Sequence, residues 1–341
     1  MRRLARLIDP YIVLLLGTVG LAALLPAEGA AADGVDAAAT GVIGLLFFLY
    51  GARLSTHEAV AGLRHWRLHL TILTATFVVF PLLGLAARGL VPWLVTPDLY
   101  DGLLFLCLVP STVQSSIALT SIARGNVPAA IAAGSFSSLV GVLATPLLAA
   151  AFIGASGGFS AESLLQIAGQ LLAPFVLGQL LRRWIGDFVV RHRAVLSLVD
   201  RGSILIIVYA AFSEGMNQGV WGEASWPRLV AVAGVNAVLL AVMLLLTGYG
   251  SRRLRFSRED RVAITFAGSK KSLAAGLPMA SVIFGDQAAL AVVPLMIYHQ
   301  LQLIVGAYLA RRWAHTAADP TPPPADHPSP AGTAGDPDGP R

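Results

Sequence analysis

The amino-acid sequence predicts an all-α polytopic membrane protein of ten transmembrane helices, arranged as two inverted five-helix repeats. Three observations predict it. Of 341 residues, 56% are hydrophobic and only 13% charged, where a soluble globular domain is about a quarter charged. The chain repeats apolar runs near or above the ~18 to 20 residues that a helix needs to cross ~30 Å of hydrocarbon. Matched polar interruptions fall at corresponding places in its two halves.

The apolar runs place helices at about 10–26, 38–54, 69–90, 101–123, 127–153, 162–182, 202–216, 228–248, 260–283 and 286–309. The seventh is short, and Pro110, Pro146, Pro174, Pro278 and Pro294 interrupt others, which membrane helices tolerate where neighbours satisfy the freed backbone. Residues 1–26 also have the basic flank, apolar run and small residues of a secretory signal peptide. The further apolar runs and the internal symmetry favour a first membrane helix instead. Residues 1–9 are then a cytoplasmic N-terminus, 10–153 the first repeat, 154–161 an external linker and 162–309 the second repeat. Residues 310–341 form a cytoplasmic tail, disordered from about 317, where Pro, Asp, Gly and Ala dominate.

Charge tests this map. With both termini in the cytoplasm, the inner segments hold 20 of the 24 basic residues: Arg2, Arg3, Arg6, Arg53, Arg64, Arg67, Arg124, Arg182, Arg183, Arg191, Arg193, Arg201, Arg252, Arg253, Arg255, Arg258, Arg261, Arg311, Arg312 and Arg341. The outer segments hold only Arg88 and Arg228, as the positive-inside rule requires. The net charge of +5 therefore reads as topology and not as a nucleic-acid surface, because the arginines line no single amphipathic face. The single cysteine, Cys107, excludes an internal disulfide.

Five helices being an odd number, a second copy of the first five runs upside down, the inverted-repeat plan of many carriers. The fourth helix carries the polar knot Pro110-Ser111-Thr112-Val113-Gln114-Ser115-Ser116, then an apolar stretch and a turn at Gly125-Asn126. The ninth carries Gly268-Ser269-Lys270-Lys271-Ser272, then an apolar stretch and a turn at Gly285-Asp286. Polar interruptions at matched positions point to a binding site at the bilayer midplane.

The two lysines of the chain, Lys270 and Lys271, are adjacent and about ten residues into the ninth helix. Each costs roughly 2.5 to 3.5 kcal/mol at the bilayer centre on insertion scales. On a regular helix neighbours point about 100° apart, so one ammonium faces the site while the other meets a helix or a vestibule. One of them attracts an anionic substrate, or stands in the place of a coupling cation; the alternative is a pair with Glu214 that only holds the bundle together. Ser111, Thr112, Gln114, Ser115 and Ser116, with Ser269 and Ser272, offer neutral donors and acceptors, and a half-helix beginning near Ser115 points its positive end at the midplane. Glu214, at the end of the seventh helix, is a proton carrier, the partner of a lysine or an outer-interface residue. His299 and Gln302 stand three apart on one face of the tenth helix. All twelve side chains are candidates for substrate binding. Catalysis, cofactors and resident metals are not expected, since metal-spaced histidines, a nucleophile elbow and a phosphate loop are all missing from the sequence.

At Val109–Ala130 (VPSTVQSSIALTSIARGNVPAA), Gly268–Gly285 (GSKKSLAAGLPMASVIFG) and Tyr298-His299-Gln300-Leu301-Gln302, the chain resembles the bile acid:sodium symporter superfamily, and its SBF-like branch more closely. The resemblance spans about residues 5 to 315. It implies a core bundle with two broken helices crossing at the knots, beside a panel bundle, with alternating access from motion of the bundles. The sodium-coupled branch resembles this chain less at the knots. Phe266 stands where its glutamate is expected and Lys270 and Lys271 where its amides are, while Ala130 and Gly134 replace hydroxyls, with Ser135, Ser137 and Ser138 close by. The expectation is a bacterial inner-membrane carrier of a small organic anion, independent of sodium or coupled to protons. The alternatives are a non-transporting regulator or scaffold of the same fold, and a sodium-coupled bile-acid-like symporter.

Overall fold

The computed structural model describes residues 10–53, 65–153, 161–219 and 225–316. The N-terminal nine residues, Arg64, residues 154–160 of the expected 154–161 linker and the tail from 317 lie outside them, while Ala161 already belongs to a helix. Among the described residues all regular structure is helical.

The helices are α1 (Pro10–Leu24), α2 (Ala30–Arg53), α3 (Trp66–Leu90), α4 (Pro97–Leu108), α5 (Gln114–Ile122), α6 (Val127–Phe152), α7 (Ala161–Arg191), α8 (Arg193–Asn217), α9 (Trp226–Arg253), α10 (Arg258–Gly268), α11 (Leu273–Phe284) and α12 (Ala288–Thr316). Among the described residues six stretches are long and apolar enough to cross a membrane: Ala30–Arg53, Trp66–Leu90, Val127–Phe152, Ala194–Asn217, Trp226–Arg253 and Arg258–His315.

Several boundaries depart from the hydropathy reading. α2 opens at Ala30 and not near residue 38, because an alanine run with Asp33 in the first turn is a good helix start. α7 continues to Arg191, and α8 starts directly after His192. The helix expected at 202–216 is therefore not short but 25 residues long. Charged residues such as Arg182, Arg183 and Asp200 mark where apolar character ends, but arginine is a sound helix former and the backbone runs on through all three. Arg53 and Asp200 pair there at 2.5 Å, tying α2 to α8. Of the five interrupting prolines only Pro110 sits in a break; Pro146, Pro174, Pro278 and Pro294 lie inside continuous helices.

The longest interface pairs α2 with α7. It is a glycine contact on both sides, since a β-carbon on Gly51 would collide with the Phe175 carbonyl and one on Gly178 with the Phe48 carbonyl. α4 is the innermost element: from Leu99 to Leu108 every residue but Asp101 is buried. α1 and α9 instead turn Leu14, Val230 and Leu245 outward, the apolar exterior of a lipid-facing bundle.

Candidate functional site

The site is built from the two places where a helix stops inside the bundle. α4 ends at Leu108 and α5 starts at Gln114, while α10 ends at Gly268 and α11 starts at Leu273. A helix end leaves its last carbonyls without intrahelical donors, and away from water another group must supply them.

At the end of α4, the Cys107 and Val109 carbonyls accept from Lys271 Nζ at 2.7 and 2.8 Å. Leu108 O accepts from Thr145 Oγ1 at 2.9 Å, and Pro110 O from the Ser272 N–H at 2.8 Å. At the end of α10, Ala267 O accepts from Ser111 Oγ at 2.5 Å and Phe266 O more weakly from Ser116 Oγ at 3.5 Å. Ser269 O accepts from the Tyr298 hydroxyl at 2.7 Å, and Lys271 O from Gln302 Nε2 at 2.8 Å. Each break therefore supplies donors to the other, with α6 and α12 completing the set. The two broken segments meet here, where the resemblance implies a crossing.

The third acceptor for Lys271 Nζ is Thr76 O on α3, at 3.0 Å. That carbonyl is free for a local reason. Ala75–Val79 form a π turn in which the Phe80 N–H bonds back to Ala75 O, and the next residue, Pro81, has no N–H to give. All three ammonium donors of Lys271 are thus used, and the ammonium also sits over the Phe80 ring, 4.2 Å from its centroid. The side chain is wholly buried.

Lys270 is different. It is 1% exposed, yet its Nζ has no hydrogen-bond partner. It lies 5.8 Å from the Phe266 ring centroid and beside Gly306 of α12, where an added β-carbon would stand in ordinary contact with it at 3.6 Å and would collide with Leu119 instead. A buried ammonium without an acceptor is costly.

The other sequence candidates divide into two groups. Ser111, Ser116, Ser269 and Ser272 belong to the crossing; Ser269 Oγ donates to Thr265 O at 2.6 Å, and Ser272 Oγ caps α11 by accepting from Ala275 N at 3.2 Å. Thr112 and Ser115 face each other with hydroxyls 2.5 Å apart, and Gln114 opens α5 with an exposed side chain. Gln302 joins the crossing, and its amide also reaches His299 Nδ1 at 3.0 Å.

Glu214 does not join it and pairs with neither lysine. It accepts from Gln218 Nε2 at 2.8 Å and, with Asp36 and Asp286, lines a 440 Å³ cleft elsewhere, among α2, α7, α8 and α11. The apolar run before Glu214 signals membrane depth but not lateral position. Residues the sequence reading passed over are Thr76, Phe80, Pro81, Thr145 and Gly306; Ser137, which accepts from the Ser111 N–H at 2.9 Å, and Tyr298 it named without giving them a role. For most of them the sequence carries no signal, because they act through the crossing or through a backbone carbonyl; a Phe-Pro step inside an apolar run is the one available hint.

Comparison with known proteins identifies the family. The profile of the SBF-like CPA transporter family matches residues 9–315. An uncharacterized protein of Pseudomonas aeruginosa is 51% identical over 314 residues, covering 91% of this chain and 94% of that one. The YfeH protein of Escherichia coli is 45% identical over 313 residues with the same coverage of both chains, and sodium/bile acid cotransporter 7 of Mus musculus is 31% identical over 277 residues, 78% of this chain and 80% of its own. The family is one of transporters, and six apolar stretches among the described residues are long enough to cross a bilayer. The chain is a multi-pass membrane protein, not an enzyme, and it belongs to the SBF-like CPA transporter family.

Proposed function

We propose that this protein is a secondary active carrier of a small organic anion in a bacterial inner membrane, with both termini cytoplasmic and Lys270 as the charge that selects its cargo. The observation that carries the reading is the Lys270 ammonium, buried beside the crossing with no acceptor of its own. An anion is the partner such a group lacks. The amino ends of α5 and α11 lie at the same crossing, and helix starts favour negative charge.

Ten crossings in two inverted repeats support alternating access. Taking α4 with α5 and α10 with α11 as one crossing each, the packing comes in matched pairs: α2 on α7 and α1 on α8, α3 on α4 and α9 on α10, α5 on α6 and α11 on α12. An inverted repeat produces such matches. Two lysines in the crossing argue against a sodium requirement. The name of the 31%-identical cotransporters favours a second reading, a sodium-coupled symporter of bile-acid-like anions.

The test is thermal stability of the detergent-purified protein with bile-acid conjugates, dicarboxylates and aryl sulfates, in sodium and in choline. An anion at a hundred times its Kd adds about 2.7 kcal/mol to the folded state. The expected result is stabilisation by at least one anion in both salts, lost in Lys270→Gln. Stabilisation that needs sodium selects the symporter reading. A Lys270→Gln protein that responds like the wild type, or a panel in which sodium alone acts, overturns the assignment of Lys270; a folded protein that no anion stabilises or crosses with is a scaffold.

A further inference from the structure

We infer that Lys271 is a tethered cation, the built-in occupant of a monovalent-cation site formed by the carbonyl oxygens of Thr76, Cys107 and Val109 and the face of Phe80. This goes beyond the anion-carrier reading and does not rest on it, since Lys270 plays no part.

Three features describe a cation cage and not an incidental lysine. The ammonium has three donors and meets three carbonyl oxygens, at 3.0, 2.7 and 2.8 Å, with none left over on either side. Carbonyl oxygens converging at such distances replace the hydration shell of a small cation. Two of them close the carboxyl end of α4, the negative end of its dipole, and the ring adds the attraction of its π face at 4.2 Å.

The third feature is that the cage is made by the backbone. The π turn diverts the Phe80 N–H to Ala75, and Pro81 withholds the donor that would otherwise reach Thr76 O. Neither device depends on the lysine. Shortening the side chain therefore leaves three convergent, unpaired carbonyls inside the bundle, which is the chemistry that takes ammonium, methylammonium or potassium.

The experiment compares melting temperatures of the purified full-length wild type and Lys271→Ala in the chlorides of choline, potassium, ammonium and methylammonium at equal ionic strength. The wild type should not distinguish them. Lys271→Ala should melt lowest in choline and regain several degrees, saturably, in at least one of the small cations, and Phe80→Leu in that background should weaken the response. Should Lys271→Ala fail to fold in choline, recovery in methylammonium supports the site equally well. Lys271→Leu, which keeps most of the stem and vacates only the ammonium position, provides the second variant. A folded Lys271→Ala or Lys271→Leu indifferent to all three cations overturns the proposal. So does loss of both variants in every salt, and so does a wild type that responds as strongly as the variants.

Discussion

The side-chain amide of Gln302 holds both edges of the Lys271 peptide: its Oε1 accepts from the Lys271 N–H and its Nε2 donates to the Lys271 carbonyl, each at 2.8 Å. A single residue on α12 thus satisfies both main-chain groups of one residue in the break, as a neighbouring strand does in a sheet.

Gln302→Ala leaves a buried N–H and a buried C=O unpaired together. At about 1–3 kcal/mol for each stranded group, the melting temperature should drop well below that of the wild type. Gln302→Glu should fall as well, because one carboxylate oxygen would then face the Lys271 carbonyl. A variant that melts like the wild type would show that the peptide finds other partners.

The two lysines should respond oppositely to the same change. Lys271→Met strands three carbonyls and should destabilise by about 3 kcal/mol or more. Lys270→Met removes a buried ammonium that has no acceptor, and should be neutral or stabilising by about 1 kcal/mol. The order of the two melting temperatures in choline checks this, and the reverse order would contradict the bonding described here.

Tyr298→Phe removes one hydrogen bond, the 2.7 Å contact to Ser269 O, and keeps the ring that packs edge-on against Phe80. A loss of about 1–2 kcal/mol should follow. Urea or heat titration of the purified variant measures it.

Gly51→Val and Gly178→Val each drive a side chain into a backbone carbonyl of the facing helix. The cost should reach or pass the ~3 kcal/mol upper end of overpacking, whereas Gly44→Ala, with open space around it, should be tolerated. Yield of monodisperse protein on size exclusion separates them.

The all-helical membrane character was legible in the sequence because twenty-residue apolar runs have few other solutions, and the second polar knot was legible because Lys270 and Lys271 are expensive where they stand. What each lysine does was not. Residues 269–272 are not helical, so the 100° rule for neighbours does not apply to them, and the acceptors of Lys271 are main-chain oxygens of residues with ordinary side chains. Thr76 illustrates the limit: its hydroxyl is what a sequence advertises, but its carbonyl is what the site uses. Glu214 illustrates the opposite error, a side chain with suggestive chemistry that packing carries to another cleft.

The glycine contact between α2 and α7 has a mechanical consequence. Two helices whose backbones touch at reciprocal points can neither slide nor roll without collision, so they travel as one rigid body. α2 comes from the first half of the chain and α7 from the second. Any rearrangement that opens the crossing must therefore divide the molecule between layers that mix both halves, and not at the 154–160 connection where the sequence itself divides.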